Sequence, residues 1–200
     1  MLIGLLDRLI QGTGVVCRMG VLACGALFVL VSFMIAFDVV VRKAFNIAIV
    51  GADEISSFVL ATSCSWGFAF ALLHRAHVRV ETLQLVLPQR LCAILDIVGL
   101  ILIGGFVAIV GWYASNVLYM SIDMGSNADM LDFPRWIPQA FWVAGFLIFV
   151  VLAVLLLLRS VIAFLAGDLA VLHTLIGSRS AVEQLEDDKR QVKVQRENAL

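Results

Sequence analysis

Four long runs without a charged residue constrain this chain more than any other feature of its sequence. They are Met19–Phe37, Ile55–Leu73, Ile97–Ile122 and Trp136–Leu158. A helix of about 20 apolar residues crosses the hydrocarbon core of a bilayer. The runs are continuous and do not alternate as the strands of a membrane barrel would. The sequence therefore predicts an all-α fold, an integral membrane bundle of four transmembrane helices.

The predicted spans lie near residues 19–41, 53–73, 91–115 and 137–159. Together they make a transmembrane domain of residues 1–177, followed by a mixed-charge cytoplasmic tail at 178–200. Hydrophobic residues form 62% of the chain and charged residues 14%. Soluble domains are about a quarter charged, so lipid must replace water as the main solvent here. The net charge of −1 includes no basic surplus, and no nucleic-acid partner is expected.

Basic residues near the spans predict the orientation. An even number of spans puts both termini on one side of the membrane. That side would carry seven arginines, namely Arg8, Arg18, Arg75, Arg79, Arg90, Arg159 and Arg179. The other side would carry only Arg42, Lys43 and Arg135. Cytoplasmic loops are enriched in Lys and Arg, so we expect a multi-pass protein of the bacterial inner membrane with both termini in the cytoplasm.

Cysteine and histidine spacings give no sign of redox or metal chemistry. Cys17, Cys24, Cys64 and Cys92 contain no C-x-x-C pair, and they are typical of small apolar packing residues. His74 and His77 are three residues apart, but no Cys or acid stands at a spacing that would complete a zinc site. We predict no catalytic, cofactor or metal site.

The stretch ALLHRAHVRVETLQLVLPQR, residues 71–90, joins spans two and three. On a helical projection Val80, Leu83, Leu87 and Leu91 share one face, which predicts a short interfacial amphipathic connector over 76–87. Pro88 suits the first turn of the next helix. The candidate interfacial anchors are His74, Arg75, His77, Arg79 and Arg90.

Small residues recur on one face of two spans, where they would let helix backbones approach closely in lipid. The candidate packing face consists of Ser57, Ala61, Ser65 and Ala69 in span two and of Gly104, Ala108, Gly111 and Ser115 in span three. This pattern predicts that spans two and three form the tight pair. Much of span four, FLIFVVLAVLLLL at 146–158, has no such face and is expected to contact lipid or a large apolar partner.

Four charged residues lie where spans one and two meet the same side of the membrane. Asp38 and Arg42 are four apart and can form an ion pair on a helix. Asp53 and Glu54 begin span two, where the helix dipole favours acids. None is near the bilayer midplane, where a transporter's own ion site usually lies. They are candidates for one network that joins both helices, or for contact with a partner subunit.

Taken in order, several short segments resemble the small, four-span Q-type subunit of tripartite ATP-independent periplasmic (TRAP) transporters. The similar segments are FDVVVRKAF (37–45), GADEIS (51–56), WGFAFALLHRAHVRVETL (66–83) and FPRWIPQAF (133–141). They follow one another in the family's order between residues 37 and 141.

The resemblance implies a partner role. In that family a periplasmic binding protein captures a small organic anion, often a carboxylate, and a large multi-span subunit carries it inward with a sodium gradient. The small subunit binds the large one, so the implied function is a scaffold in the lipid bilayer and not an enzyme. Two alternatives stay open: a self-sufficient small oligomeric transporter, and a quinone- or haem-linked membrane enzyme.

Overall fold

The computed structural model describes residues 2–75 and 88–167, together with Leu172, Leu175 and Ile176. Its four α-helices are α1 (Leu2–Phe45), α2 (Ala52–Leu73), α3 (Gln89–Asp123) and α4 (Trp136–Leu165). All four are long and apolar enough to cross a membrane, which confirms the predicted fold class and the number of helices. Within these ranges no strand occurs, and Asn127 and Pro134 form an isolated bridge.

The helices extend beyond the predicted spans, and α1 does so most. Its 44 residues make a rod of about 66 Å, roughly twice the thickness of the hydrocarbon core. The third helix begins directly after Pro88, whose backbone is extended. Proline lacks the N–H that a helix start leaves unpaired, so it fits this boundary. The predicted connector at 76–87 and the tail at 178–200 lie outside the described residues.

Helix α4 is the centre of the bundle, because α1, α2 and α3 all pack against it. Helix α1 also packs along α2, whereas α2 and α3 scarcely meet. The prediction that spans two and three form the tight pair is therefore wrong. The expectation that much of 146–158 contacts lipid or a partner is corrected in part, since Phe149 and Leu152 in that run are fully buried while Leu147 and Val151 are 54% and 49% exposed.

The small residues of α2 and α3 explain this arrangement, because they face α4. A Cβ atom on Gly111 would lie 3.4 Å from Cβ of Phe146, and one on Gly104 would lie 3.4 Å from Cβ of Ala153. Glycine on α3 thus brings its backbone close to the bulkier side chains of α4. Small residues of α4 also lie at these contacts, namely Ala153 opposite Gly104 and Gly145 opposite Ser65 of α2.

The bundle has two ends with different construction. We call the end with residues 46–51 and 124–135 the loop end, and the end where α1 begins and α4 finishes the terminus end. At the terminus end, Arg159 Nε and Asp7 Oδ1 are 3.0 Å apart and join α4 to α1. Leu172 and Ile176 are buried in the same core, so the chain after α4 contributes to this end.

Candidate functional site

Asp38 joins the end of α1 to the link that follows it. One carboxylate oxygen accepts a hydrogen bond from Arg42 Nη2 at 2.5 Å, and the other accepts from the Ile49 backbone N–H at 2.6 Å. The Asp38 side chain is nearly inaccessible, while Arg42 is 52% exposed. A buried carboxylate needs such partners because its charge is removed from water. The predicted Asp38–Arg42 pair is thus present, and it fixes the path of residues 46–51.

Gly51 forms the turn at the end of residues 46–51 and contacts the 124–135 loop. Its φ is +81°, a left-handed conformation that glycine adopts without strain. A Cβ at this position would lie 2.5 Å from Cγ of Leu131, closer than two carbon atoms can approach. The absence of a side chain therefore lets the 124–135 loop rest directly on the turn before α2.

The Glu54 side chain binds backbone N–H groups of the 124–135 loop. Its two carboxylate oxygens accept hydrogen bonds from the N–H groups of Asp129, at 2.8 Å, and Met130, at 3.0 Å. Hydrogen bonds to a carboxylate are stronger than neutral ones. One side chain in the first turn of α2 thereby orders a loop that lies 75 residues further along the chain.

The 124–135 loop also has internal bonds. The Ala128 N–H donates to the Phe133 carbonyl at 2.8 Å, and the Arg135 backbone N–H donates to the Ser126 carbonyl at 3.0 Å. Arg135 Nη2 and Asp129 Oδ1 form an ion pair at 2.7 Å. The Phe133 ring packs edge-on against Phe58 of α2 with centroids 6.0 Å apart. These contacts make the loop a folded hairpin that packs against the first turns of α2.

The predicted four-residue group divides in two. Asp38 and Arg42 join α1 to the 46–51 link, while Glu54 joins α2 to the 124–135 loop. Asp53 is exposed, and among the described residues its carboxylate makes no hydrogen bond or ion pair. Its backbone carbonyl accepts the Ser56 and Ser57 hydroxyls instead. The single network considered from the sequence is thus replaced by two adjacent ties.

Trp66 is a contact that the sequence reasoning missed. Its indole Nε1–H donates to the Phe141 carbonyl of α4 at 3.0 Å. A Cβ on Gly20 of α1 would overlap the Trp66 ring, and one on Gly145 of α4 would lie 2.9 Å from Cδ1 of that ring. Trp66 therefore joins three helices. A tryptophan well inside an apolar run was the available signal, since the residue usually lies at the membrane interface.

The other predicted packing residues differ in burial. Ser65 and Ala69 of α2 and Gly111 of α3 are buried. Ala61, Gly104, Ala108 and Ser115 are half-buried, and Ser57 is exposed. Ser65 faces Gly145 of α4, where a Cβ would lie against its Oγ. Ser65 and Ala69 of α2 and Gly111 of α3 are therefore the residues of the two faces that are packed most tightly.

The predicted anchors at the terminus end are partly described. His74 ends α2 and stacks on Phe70 with ring centroids 4.0 Å apart. Arg75 follows in a left-handed conformation, with φ +56°, and Arg90 is exposed in the first turn of α3. His77 and Arg79 lie outside the described residues. Across the described ranges, no three His, Cys, Asp or Glu side chains are grouped as metal ligands.

Fold and site together define a class: a small four-helix membrane protein whose loop end is held together by hydrogen bonds between helix ends and loops. The comparisons with known proteins give the family. The family model described as "Tripartite ATP-independent periplasmic transporters, DctQ component" matches residues 31–163, and the chain belongs to that family.

Searches among curated proteins and among solved structures found no match. The family match runs from the middle of α1 almost to the end of α4 and includes both ties at the loop end. The chain is therefore a small membrane subunit of a TRAP transporter and a multi-pass inner-membrane protein. Because DctQ is a transporter component, the quinone- or haem-linked enzyme considered from the sequence is excluded.

Proposed function

We propose that this chain scaffolds the large transport subunit of a TRAP system during sodium-driven uptake of a small organic anion, such as a carboxylate. A periplasmic binding protein delivers the anion, and the large subunit carries it across. The chain itself holds no substrate. Both termini lie in the cytoplasm, so the loop end faces the periplasm.

The observation that supports a scaffold best is the use of the charged residues at the loop end. Asp38 and Glu54 are engaged with backbone N–H groups of the chain itself, at 2.6 Å to Ile49 and 2.8 Å to Asp129. Carboxylates engaged in this way shape a surface and are not free to take up an ion or a substrate. A rigid periplasmic surface suits a subunit that is touched repeatedly by a soluble binding protein.

The open arrangement of the helices supports a large membrane partner. In a closed four-helix bundle each helix would pack on two neighbours around a ring, but here α3 packs extensively only on α4 and makes at most weak contact with α1 and α2. In the most apolar stretch of α1, only 6% of the residues are buried within the chain. Wide apolar helix faces are thus left for lipid and for the helices of a second subunit.

The test is affinity purification of the tagged chain from its native membranes in mild detergent, followed by identification of the retained proteins. The scaffold proposal expects a large multi-span protein to stay bound in a fixed ratio. A chain that purifies only as copies of itself would favour the self-sufficient oligomeric transporter.

A further inference from the structure

We infer that the terminus end binds anionic phospholipid headgroups through two exposed arginines, Arg18 of α1 and Arg90 of α3. This inference concerns the lipid around the chain and goes beyond the scaffold role. The two ends differ in more than their number of basic residues. They also differ in which basic side chains are already paired with an acid of the chain.

At the loop end both arginines are neutralised by the chain's own acids. Arg42 pairs with Asp38 at 2.5 Å, and Arg135 pairs with Asp129 at 2.7 Å. Lys43 is exposed there. Little positive charge at this end is therefore available to an external anion.

At the terminus end the situation is reversed. Arg8, Arg18 and Arg90 are all exposed, and in the part of the chain that the structure describes none of them takes part in a hydrogen bond or ion pair. The acid Asp7 is already occupied by Arg159 at 3.0 Å. Three guanidinium groups are thus free for an external anion.

Of the free arginines on α1, Arg18 lies at the depth of the headgroup layer, whereas Arg8 lies about 15 Å further out along the helix. From Arg18 to Arg42 the helix rises about 36 Å, which matches a hydrocarbon core of about 30 Å crossed at the usual tilt of about 20°. Helices α1 and α3 both begin at the terminus end. Because Cα–Cβ bonds tilt towards the N-terminus of a helix, the arginine side chains lean towards the membrane surface at this end.

The side chains beside these arginines are typical of the membrane–water interface. Met19, next to Arg18 on the membrane side, is 66% exposed, and Leu91, next to Arg90, is 47% exposed. Apolar side chains this exposed would be costly in water, whereas beside arginine they suit the boundary between acyl chains and phosphates. Each arginine therefore stands beside a side chain that can enter the acyl region.

The distribution of the arginines favours lipid over a single protein partner. Helices α1 and α3 lie on different flanks of α4 and make at most weak contact with each other. Arg18 and Arg90 are thus on separate helices at the perimeter of the bundle and do not form one compact patch. Separate phospholipids around the protein fit that arrangement, with a phosphate at each guanidinium.

The test uses the full-length chain in mild detergent with equal amounts of phosphatidylglycerol and phosphatidylcholine, and native mass spectrometry to count retained lipids. The unmodified chain should retain phosphatidylglycerol preferentially. Arg18→Gln and Arg90→Gln should each weaken the lipid site at that residue about fivefold, because an arginine near an anionic surface contributes about 1 kcal/mol, and each variant should therefore retain about one phosphatidylglycerol fewer. The matched control Lys43→Gln removes one charge at the loop end and should leave the preference unchanged.

The inference would be overturned by an equal loss in Lys43→Gln, or by unchanged lipid retention in both arginine variants. Should a variant fail to insert, the unmodified chain still decides the matter. Its preference must fall as the salt rises from about 0.01 M to 0.15 M, because the Debye length shortens from about 30 Å to 8 Å. Displacement of the lipid by soluble glycerol phosphate at equal concentration would indicate a free-anion site and contradict the lipid assignment.

Discussion

The carboxylate of Glu54 lies 3.0 Å from the backbone nitrogen of Met130, and this hydrogen bond joins the first turn of α2 to a loop 76 residues away. The same side chain also accepts from the neighbouring N–H of Asp129. A helix start and a distant loop are thereby held as one surface at the loop end.

The Glu54 tie predicts a local effect. Glu54→Gln replaces a carboxylate that accepts two N–H groups by an amide with one carbonyl oxygen. Each lost bond contributes about 1 kcal/mol, so hydrogen exchange at Asp129 and Met130 should accelerate about fivefold. The matched control is Asp53→Asn, which changes the adjacent exposed acid. Equal acceleration in the control would mean that charge at this helix start, and not the bond, holds the loop.

The Asp38–Arg42 pair predicts an effect on subunit association. Arg42→Ala leaves the inaccessible Asp38 carboxylate with only the Ile49 N–H as a partner, so the link at 46–51 should loosen. We expect a several-fold loss of the large subunit in co-purification, with insertion of the chain unaffected. Lys43→Ala is the neighbouring control because its side chain makes no tie to Asp38. Full retention of the large subunit by Arg42→Ala would contradict this role for the pair.

The contact of Gly20 with Trp66 predicts a cost that depends on position. Gly20→Ala places a methyl group where the Trp66 indole ring lies, against Cε3. Overpacking of this kind costs about 1–3 kcal/mol, so the thermal midpoint in detergent should fall. Gly25→Ala on the same helix is the control, since nothing lies within 4 Å of its Cβ position. Similar losses in both variants would mean that α1 does not pack on Trp66.

Orientation is tested by labelling. In a cysteine-free background, single cysteines at Gln89 and Asn127 should react with an impermeant reagent from opposite sides of the membrane. Gln89 begins α3 at the terminus end, and Asn127 lies in the loop-end hairpin. Asn127 should be labelled in cells whose outer membrane has been permeabilised, and Gln89 only after the inner membrane is opened. The reverse pattern would invert the proposed topology.

Much of the fold could be predicted because the relevant signals are local. An uncharged run long enough to cross a bilayer indicates a helix whatever surrounds it, and Pro88 marks the start of α3 by its own chemistry. The ion pair of Asp38 with Arg42 is equally local, since four residues on a helix bring the side chains together.

The remainder depends on contacts between distant segments. The hydrogen bonds from Glu54 to the 124–135 loop and from Trp66 to the Phe141 carbonyl use backbone groups, which every residue offers and no pattern distinguishes. The central position of α4 was missed for a related reason. Small residues indicate that a helix can be approached closely, but they do not indicate which helix approaches, and here Phe146 and Ala153 of α4 occupy that place.

The measurement that tests the scaffold role most directly is uptake in proteoliposomes with each component of the system omitted in turn. The complete system should accumulate its organic anion when an inward sodium gradient is imposed. Omission of this chain should reduce uptake to the background level, although the large subunit and the binding protein are both present. Full sodium-driven uptake without this chain would contradict the scaffold role, and uptake by this chain alone would identify it as a self-sufficient transporter.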